Sequence, residues 1–483
     1  MLKILLAWHR RLALLCVFPF VIWTLSGLLH PAMSHFAKAP HIKPDPIKVE
    51  SNRLQNYIHL KDALKQQGVH HFSHASLVEF KGNYFYQVQQ QIDDGTTVHY
   101  LPLSATSVSL NDVDYARYLA TQWTNQNVIK SELVTQFSSA YPEINRVLPV
   151  YRLHMDSGNN IYIDTLGKRI TAHNTPLRES LSFWFKQLHT WQFAGDRHSL
   201  WRIIPMLLIS IAVLVMAIFG LLSYSVLWSR IKTKQLNRRS LHRASGLALS
   251  LCMLGFASSS THILIDKFFL QEFRDLSPTN QIATDAIHHD PVKTLAIANG
   301  HNFQLVIISG QVLSQIVSYK NNSMHFTYWQ NNQTQYDDKA FAQSALLNQL
   351  NIKGTLTHSK KIDKFGPTYG FVNKRLPVLQ LSFEQSPEVR YSIELHTGYI
   401  AAVDDTWQNA RSWHFGYLHK YHFLNPLGKD IRDSIITLIC LGLAFIALLG
   451  TSMYFSKLLR QRRAKIHRNI QNNEILEITK EQA

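Results

Sequence analysis

Cysteine is scarce in this chain: there are three residues among 483, and each lies inside a long apolar run. The more polar stretches contain none, so they cannot form the disulfides that usually support small secreted domains. No two cysteines are close enough in sequence to form a Cys-x-x-Cys metal or redox motif. We therefore expect Cys16, Cys252 and Cys440 to be packing residues. The sequence also lacks a His-Glu-x-x-His zinc motif and any Ser-His-Asp spacing, which argues against hydrolysis.

Acidic residues are missing from three short segments that are rich in lysine and arginine. Together these segments hold 15 basic residues, so they account for 15 of the 17 net positive charges. Their basic residues are Lys3, Arg10 and Arg11, then Arg230, Lys232, Lys234, Arg238, Arg239 and Arg243, then Lys457, Arg460, Arg462, Arg463, Lys465 and Arg468. Each segment flanks a long apolar run, as cytoplasmic segments of membrane proteins do. The charge therefore indicates membrane topology, and no nucleic-acid partner is expected.

Four long apolar runs carry few or no charges. They are Leu12 to Leu29, Ile203 to Trp228, Ala244 to Ile265 and Ser434 to Phe455. Each has the length that a helix needs to cross a bilayer core of about 30 Å. With the basic segments inside, both termini are predicted to be cytoplasmic and the two long stretches, about 31 to 200 and 266 to 430, to be external.

The two halves of the chain share order and spacing. LHTWQF (188 to 193) and LHKYHF (418 to 423) each precede a long apolar run by about fifteen residues. The intervals from each histidine to a glycine and a tyrosine are the same, 31 and 35 residues: His189 to Gly220 and Tyr224, and His419 to Gly450 and Tyr454. We predict two repeats, each with an ingoing helix, an external α+β domain and a returning helix, related by a pseudo-two-fold axis.

Six histidines recur in both halves and fall at two levels of the predicted helices. His9 and His242 stand at the cytoplasmic ends of the first and third runs. The others lie at or just beyond the outer boundary, and they are His30, His262, His189 and His419. Ionisable residues at membrane depth are costly and usually face the bundle interior with a partner. Two levels of facing imidazoles are what two stacked haems would require.

The spacing identifies one pair of candidate ligands at the inner level but leaves four candidates at the outer level. The inner two histidines stand at matching positions of the two halves and are predicted to ligate one haem. At the outer level, His189 and His419 match without slippage, whereas His30 and His262 are one residue out of register, about 100° on a helix. All four remain candidate outer ligands. Without a Cys-x-x-Cys-His motif, the haems would be b-type, held without covalent attachment.

The order of helix, external segment, LHxxxF motif and helix, present twice, resembles the PepSY-associated transmembrane proteins. The resemblance also rests on Ser26-Gly27 near the end of the first run and on two strand-turn stretches, IYIDTLGKRI (161 to 170) and YSIELHTGYI (391 to 400). It covers nearly the whole chain. Some members are inner-membrane ferric-siderophore reductases of Gram-negative bacteria, and the six histidines carry over as candidate haem ligands.

The expected fold is an integral membrane α+β protein: a four-helix transmembrane bundle of two pseudo-symmetric repeats, each with an external PepSY-like α+β domain. The predicted boundaries are 1–30 (first transmembrane helix), 31–187 (first periplasmic domain), 188–228 (second helix with its LHTWQF entry), 229–241 (cytoplasmic basic loop), 242–265 (third helix), 266–417 (second periplasmic domain), 418–456 (fourth helix with its LHKYHF entry) and 457–483 (cytoplasmic tail). Ala37-Lys38-Ala39 leaves signal-peptide cleavage open, although the length of the first run favours a retained helix.

The resemblance implies that about two b haems per chain carry electrons outward across the bacterial inner membrane to a ferric siderophore or another Fe(III) complex. Only 28 residues follow Phe455, without a glycine-rich phosphate loop, so we expect a separate electron donor, either a membrane quinol or a cytosolic reductase. The alternative is a haem-free membrane scaffold or regulator whose external domains bind or inhibit a periplasmic protein. A further cluster, His70-His71 with His74, is predicted to be a solvated surface feature rather than a metal site.

Overall fold

The computed structural model describes residues 2–38, 56–92, 95–105, 108–227, 237–269, 280–321, 323–366 and 368–481. The chain divides into two compact units. The helical unit contains Met1–Lys38, Leu177–Glu272 and Ala410–Ala483, and the sheet unit contains Ala39–Pro176 and Phe273–Asn409. Each unit therefore takes in segments from both halves of the chain.

The first half of the chain begins and ends with helices and has strands between them. Its elements, in chain order, are α1 (Leu2–Gly27), α2 (Leu29–Phe36), α3 (Leu60–Gln66), β1 (His71–Phe72), β2 (His74–Phe80), β3 (Asn83–Ile92), β4 (Gly95–Pro102), α4 (Asp112–Thr124), β5 (Val128–Val134), β6 (Val150–Met155), β7 (Asn160–Asp164), β8 (Arg169–Asn174), α5 (Pro176–Thr190) and α6 (Leu200–Leu227).

The second half repeats most of this order, with differences at its first short elements and near its last long helix. Its elements are α7 (Arg238–Phe269), β9 (Ile282–Ala283), α8 (Pro291–Ile297), β10 (Asn302–Ile308), β11 (Gln311–Lys320), β12 (Ser323–Gln330), β13 (Gln333–Tyr336), α9 (Asp338–Leu350), β14 (Leu356–Ile362), β15 (Val378–Phe383), β16 (Ser386–Glu394), β17 (Ile400–Asp404), α10 (Thr406–Trp413) and α11 (Lys429–Glu481). A π-helical turn, His414–His419, follows α10 directly, whereas α5 is a continuous α-helix.

Four helices among the described residues are long and apolar enough to cross a membrane, as the sequence predicted. They are Leu2–Phe36, Leu200–Leu227, Arg238–Phe269 and Lys429–Ile466. Each predicted apolar run falls within one of them, but Trp228 and residues 229–236 of the predicted basic loop lie outside the described residues. The segment predicted as a cytoplasmic tail continues α11 as far as Glu481.

The long helices pack in a closed ring. α1 packs against α6 and α11, and α7 packs against the same two helices. α1 and α7 are therefore diagonal partners, which lets their side chains meet at the centre of the bundle. Cys16 of α1, Val213 of α6 and Ala257 of α7 are buried together in this centre.

Both halves of the chain contribute to one seven-stranded sheet, ordered β13-β12-β11-β10-β2-β3-β4. The halves meet where β2 pairs antiparallel with β10, with Ser76 opposite Gln304. Buried apolar residues of both halves, including Tyr86 and Phe303, pack in one cluster. The sequence predicted one external α+β domain for each half; the structure unites the two segments through this shared sheet.

Each half also forms a separate four-stranded antiparallel sheet, β5-β6-β7-β8 in the first and β14-β15-β16-β17 in the second. A 13-residue helix packs on each sheet, α4 on the first and α9 on the second. The side chains of Asn111 and Asp337 cap these helices by accepting a hydrogen bond from the backbone N–H three residues later. The predicted strand-turn stretches form the β7–β8 and β16–β17 hairpins.

Candidate functional site

Two pairs of imidazole rings face each other within the helical unit. His9 on α1 and His242 on α7 have ring centroids 6.5 Å apart. His189, in the last turn of α5, and His419, at the end of the π-helical turn, have ring centroids 6.4 Å apart. Each pair joins one histidine from each half of the chain.

The spacing of the two pairs suits a metal between the rings. Imidazole nitrogen binds a metal at about 2 Å, and the ring centre lies roughly 1 Å behind the nitrogen, so two axial imidazoles place their centroids roughly 6 Å apart. Both observed separations, 6.5 and 6.4 Å, agree with this arrangement. In the described part of the chain, no group of three or more His, Cys, Asp and Glu residues could hold a metal ion. Two protein ligands per site therefore fit a group that brings its own equatorial ligands, as a porphyrin does.

Hydrogen bonds at Nδ1 orient three of the four rings. His9 Nδ1 lies 3.0 Å from the Met216 carbonyl oxygen, and His189 Nδ1 lies 3.1 Å from the Trp23 carbonyl oxygen. A carbonyl only accepts, so in both rings Nδ1 carries the proton and Nε2 keeps its lone pair. A neutral imidazole with this tautomer presents Nε2 to a metal, and the partner of Nδ1 sets the direction of the ring.

Serine hydroxyls recur beside the outer pair. Ser26 Oγ lies 3.2 Å from His189 Nδ1, and Ser259 Oγ lies 3.1 Å from His419 Nδ1. Ser26 follows His9 by 17 residues, and Ser259 follows His242 by the same interval. The contacts of the two serines with His189 and His419 give this equal spacing a structural reason, because each serine orients a ring on another element.

Glycines make room for the inner pair. A Cβ at Gly220 would lie 3.2 Å from His9 Cε1, and a Cβ at Gly450 would lie 3.1 Å from His242 Cε1. These are the glycines that the sequence placed at the same interval from its LHxxxF histidines. Their regular spacing therefore has a packing reason, because each lies against the inner histidine of its own half and any side chain would press on the ring.

Burial keeps the outer pair neutral. Removal from water lowers the pKa of His189 to about 4. The same effect, together with the neighbouring His189, lowers the pKa of His419 to about 3. Both rings are thus uncharged at physiological pH, the form in which histidine binds metals. Phe185 stacks on His189, with centroids 4.8 Å apart, and the ring centroid of Phe415 lies 5.1 Å from that of His419. The sequence analysis singled out neither phenylalanine.

The remaining two outer candidates have different partners. His30 contacts Phe185, the ring that stacks on His189, with centroids 6.2 Å apart, and it also lies near His419. His262 Nδ1 lies 2.8 Å from His414 Nδ1, close to an ion pair between Arg411 and Asp266. The structure thus brings together the matched outer pair, with His30 beside it and His262 against His414. His414 was not singled out in the sequence, because only the tertiary structure places it beside α7.

A third imidazole pair lies in the sheet unit. His74 and His396 have centroids 6.5 Å apart, and among the described residues His74 Nε2 has no hydrogen-bond partner. The prediction that His74 belongs to a solvated cluster is wrong, because β2 is an inner strand and buries it; His70 and His71 are exposed. Burial lowers the pKa of His74 to about 3 and that of His396 to about 4.

The surroundings of this third pair differ from those of the two pairs of the helical unit. Lys168 lies nearby, and burial lowers the pKa of its amine to about 7. Arg169, which pairs with Asp164 at 3.0 Å, is a further cation near His396. Glu394 and Asp164 also lie near His396. Charges of both signs therefore surround this third pair, although its spacing matches that of the two pairs of the helical unit.

Comparison with known families agrees with the architecture. The family described as the PepSY-associated TM region matches residues 6–457, a range that includes both imidazole pairs of the helical unit. No curated protein matches the chain at a significant level. Together with the four membrane-capable helices, the family match identifies a multi-pass membrane protein and confirms the resemblance found in the sequence. The chain belongs to the PepSY-associated TM region family.

Proposed function

We propose that this protein is a di-haem b oxidoreductase that passes electrons across the bacterial inner membrane to a ferric siderophore in the periplasm. His9 and His242 would hold the inner haem, and His189 and His419 the outer one. The proposal also takes the two halves of the chain as pseudo-symmetric repeats, each with a PepSY-like domain in the periplasm, because their elements and the Nδ1 contacts of their histidines correspond.

The observation that carries the proposal is the presence of two facing, half-buried imidazole pairs at the separation expected for two ligands of one metal. Either pair alone could be a packing feature of a membrane bundle. Two pairs that each unite both halves of the chain, with glycines against the inner rings and serines on the outer rings, are harder to explain by packing alone.

The residues of the chain have three tasks in this function. The carbonyl partners of Nδ1 fix the tautomer and direction of the His9 and His189 rings, and Ser259 orients the His419 ring, so that these imidazoles, with His242, would hold the two haems. Each haem would supply one-electron redox chemistry. The apolar helices exclude water from the sites, and the sheet unit would bind the acceptor, whose Fe(III) takes up one electron and leaves as weakly held Fe(II).

The electron donor would be a membrane quinol or a separate cytosolic reductase. The basic residues that flank the predicted cytoplasmic ends fit the positive-inside pattern. That pattern places the His9–His242 level on the cytoplasmic side and the other level on the periplasmic side. Electrons would therefore enter at the first level and leave at the second.

A difference spectrum tests the proposal. Purified, detergent-solubilised protein should give a b-type reduced-minus-oxidised spectrum with about two haems per chain. His419→Ala should reduce this to about one haem and abolish ferric-siderophore reduction, since it removes an axial ligand of the outer site. His262→Ala is the matched control, because its ring lies against His414 and not across from another candidate ligand.

Two results would contradict the proposal. Folded, monodisperse protein without haem, expressed with sufficient haem supply, would rule out the oxidoreductase and favour a scaffold or regulator. If His262→Ala loses a haem while His419→Ala keeps both, the electron conduit stands but the outer ligands are wrongly assigned.

A further inference from the structure

Two arginines stand at corresponding positions beside the outer imidazole pair. Arg202 follows His189 by 13 residues, and Arg432 follows His419 by the same interval. Both lie near the start of a membrane-capable helix, Arg202 on α6 and Arg432 on α11. Neither residue was a candidate in the sequence analysis.

The side chain of Arg202 donates to two backbone carbonyls, and the residue is only 8% exposed. Nε donates to the carbonyl oxygen of Thr190, the residue directly after His189, and Nη1 donates to the Gly195 carbonyl oxygen at 3.4 Å. Asp196 and Arg197 lie near the guanidinium, but among the described residues no carboxylate forms an ion pair with it. A guanidinium has five N–H donors, so these two bonds leave others for an anion at the end of α5.

Arg432 pairs with one carboxylate and lies among other cations. Its Nε and Nη2 donate to Asp433 Oδ1 at 3.1 and 2.8 Å, and its Nη1 donates to Asn425 Oδ1 at 2.7 Å. Lys420, directly after His419, lies near Arg432. Lys429 adds a third cation to this group, which lies around His30. Asp433 therefore balances part of the positive charge near the outer pair and leaves an excess.

We propose that Arg202 and Arg432 bind the two propionate carboxylates of the haem held between His189 and His419. The inference rests on the proposed function. Arginine binds carboxylates through two parallel hydrogen bonds more readily than lysine does. Two propionates would supply the anions that the buried cations near this pair lack, and they would orient the porphyrin about the axis through its two imidazoles.

The test compares haem with its dimethyl ester, which has the same porphyrin and iron but no carboxylate charge. Full-length protein with His242→Ala removes the inner site, so the titration reports the outer site alone. This chain should bind haem about tenfold or more tightly than the ester, the preference expected for charged hydrogen bonds. Arg202→Gln and Arg432→Gln should each lower this ratio severalfold, and the double variant should bring it near one.

Arg197→Gln is the matched control, because Arg197 is an exposed arginine in the same connection between α5 and α6. It should leave the ratio unchanged. Arg202→Lys keeps a positive charge at the carbonyls of the turn and should retain part of the preference, which guards against loss of folding in the glutamine variant. If Arg202→Gln is not monodisperse, the parent ratio and the Arg432→Gln ratio decide the matter.

A parent ratio near one, or ratios that both glutamine variants leave unchanged, would overturn the inference and leave the haem sites intact. An unchanged ratio is also the result expected if the arginines bind lipid phosphates instead of haem carboxylates. Absence of any haem from the wild-type protein would overturn the proposed function itself, and the two failures are therefore distinguishable.

Discussion

At the scale of single residues, the atoms that surround the histidines of the helical unit orient their rings. Nδ1 of His9 and His189 is occupied by backbone carbonyls, and serines add a second contact at the outer level. The inner rings lie against glycines, where a side chain would occupy the space of the imidazole. Ring direction is thus decided by neighbours on other helices, not by the histidines themselves.

Gly450 gives a prediction at this scale. Under the proposed function, we expect Gly450→Val to displace the His242 ring and to prevent binding of the proposed inner haem while both inner histidines are still present, because a Cβ there would already lie 3.1 Å from His242 Cε1. The measurement is haem content per chain with the difference spectrum. Gly246→Val is the matched control, since a Cβ at Gly246 has no atom within 4 Å. Retention of two haems in Gly450→Val would show that the glycine is not needed for the site.

At the scale of elements, matched histidines are reached by different backbone paths. His189 lies on α5, a regular helix that continues to Thr190. His419 ends a π-helical turn that replaces the last part of the corresponding helix in the second half. π-turns are rare and often occur at functional sites. The two rings nevertheless face each other, because packing within the helical unit sets their positions.

A second element-scale feature is the ion network that links the hairpins of the sheet unit. Glu394, at the end of β16, accepts from Arg169 of the first half at 2.6 Å and from Arg375 at 3.0 Å. Burial alone would raise the pKa of Glu394, but these two guanidinium groups hold it well below its usual range. The carboxylate is therefore charged in the folded state and ties together segments from both halves of the chain.

We predict that Glu394→Gln destabilises the sheet unit by about 3–5 kcal/mol, because it removes the carboxylate partner of buried Arg375 and leaves Arg169 with Asp164 alone. The loss of unfolding free energy is measured by denaturant unfolding of the full chain, monitored by hydrogen exchange in β7 and β16. The folded pKa is depressed, so the stabilisation is present above the unfolded value of about 4.3 and is lost as the pH falls below it. The variant should therefore lose less stability on acidification than the wild type.

Glu132→Gln serves as the control, since Glu132 pairs with Lys130 and Arg152 at the surface and surface pairs contribute little. Equal stability of Glu394→Gln and Glu132→Gln would show that the buried network does not support the fold.

At the scale of the whole molecule, charge and hydropathy predict the topology. The native cysteines suit an accessibility test, because Cys16 and Cys440 are buried and all three lie in the long helices. We expect Gln122→Cys and Lys353→Cys, both exposed in the sheet unit, to react with a membrane-impermeant maleimide in intact spheroplasts. Gln461→Cys, exposed on α11, should react only after lysis. The reverse pattern would show the opposite orientation, and the proposed direction of electron flow would then be reversed.

The sequence by itself determined the four membrane-capable helices, the family and the recurrence of histidines. These follow from run length, charge position and spacing along the chain, which are local properties that need no knowledge of the fold. Hydropathy also predicted which segments are membrane helices, although their ends extend beyond the apolar runs because backbone hydrogen bonding continues into polar residues.

Only the tertiary structure decided which histidines face each other. His30 and His262 lie as near to the predicted membrane boundary as the other outer candidate ligands, yet their rings lie against Phe185 and His414. The shared seven-stranded sheet was equally hidden from the sequence, because β2 and β10 meet across more than two hundred residues. Long-range pairing and ring direction depend on packing between distant segments, and no local pattern of the chain encodes that packing.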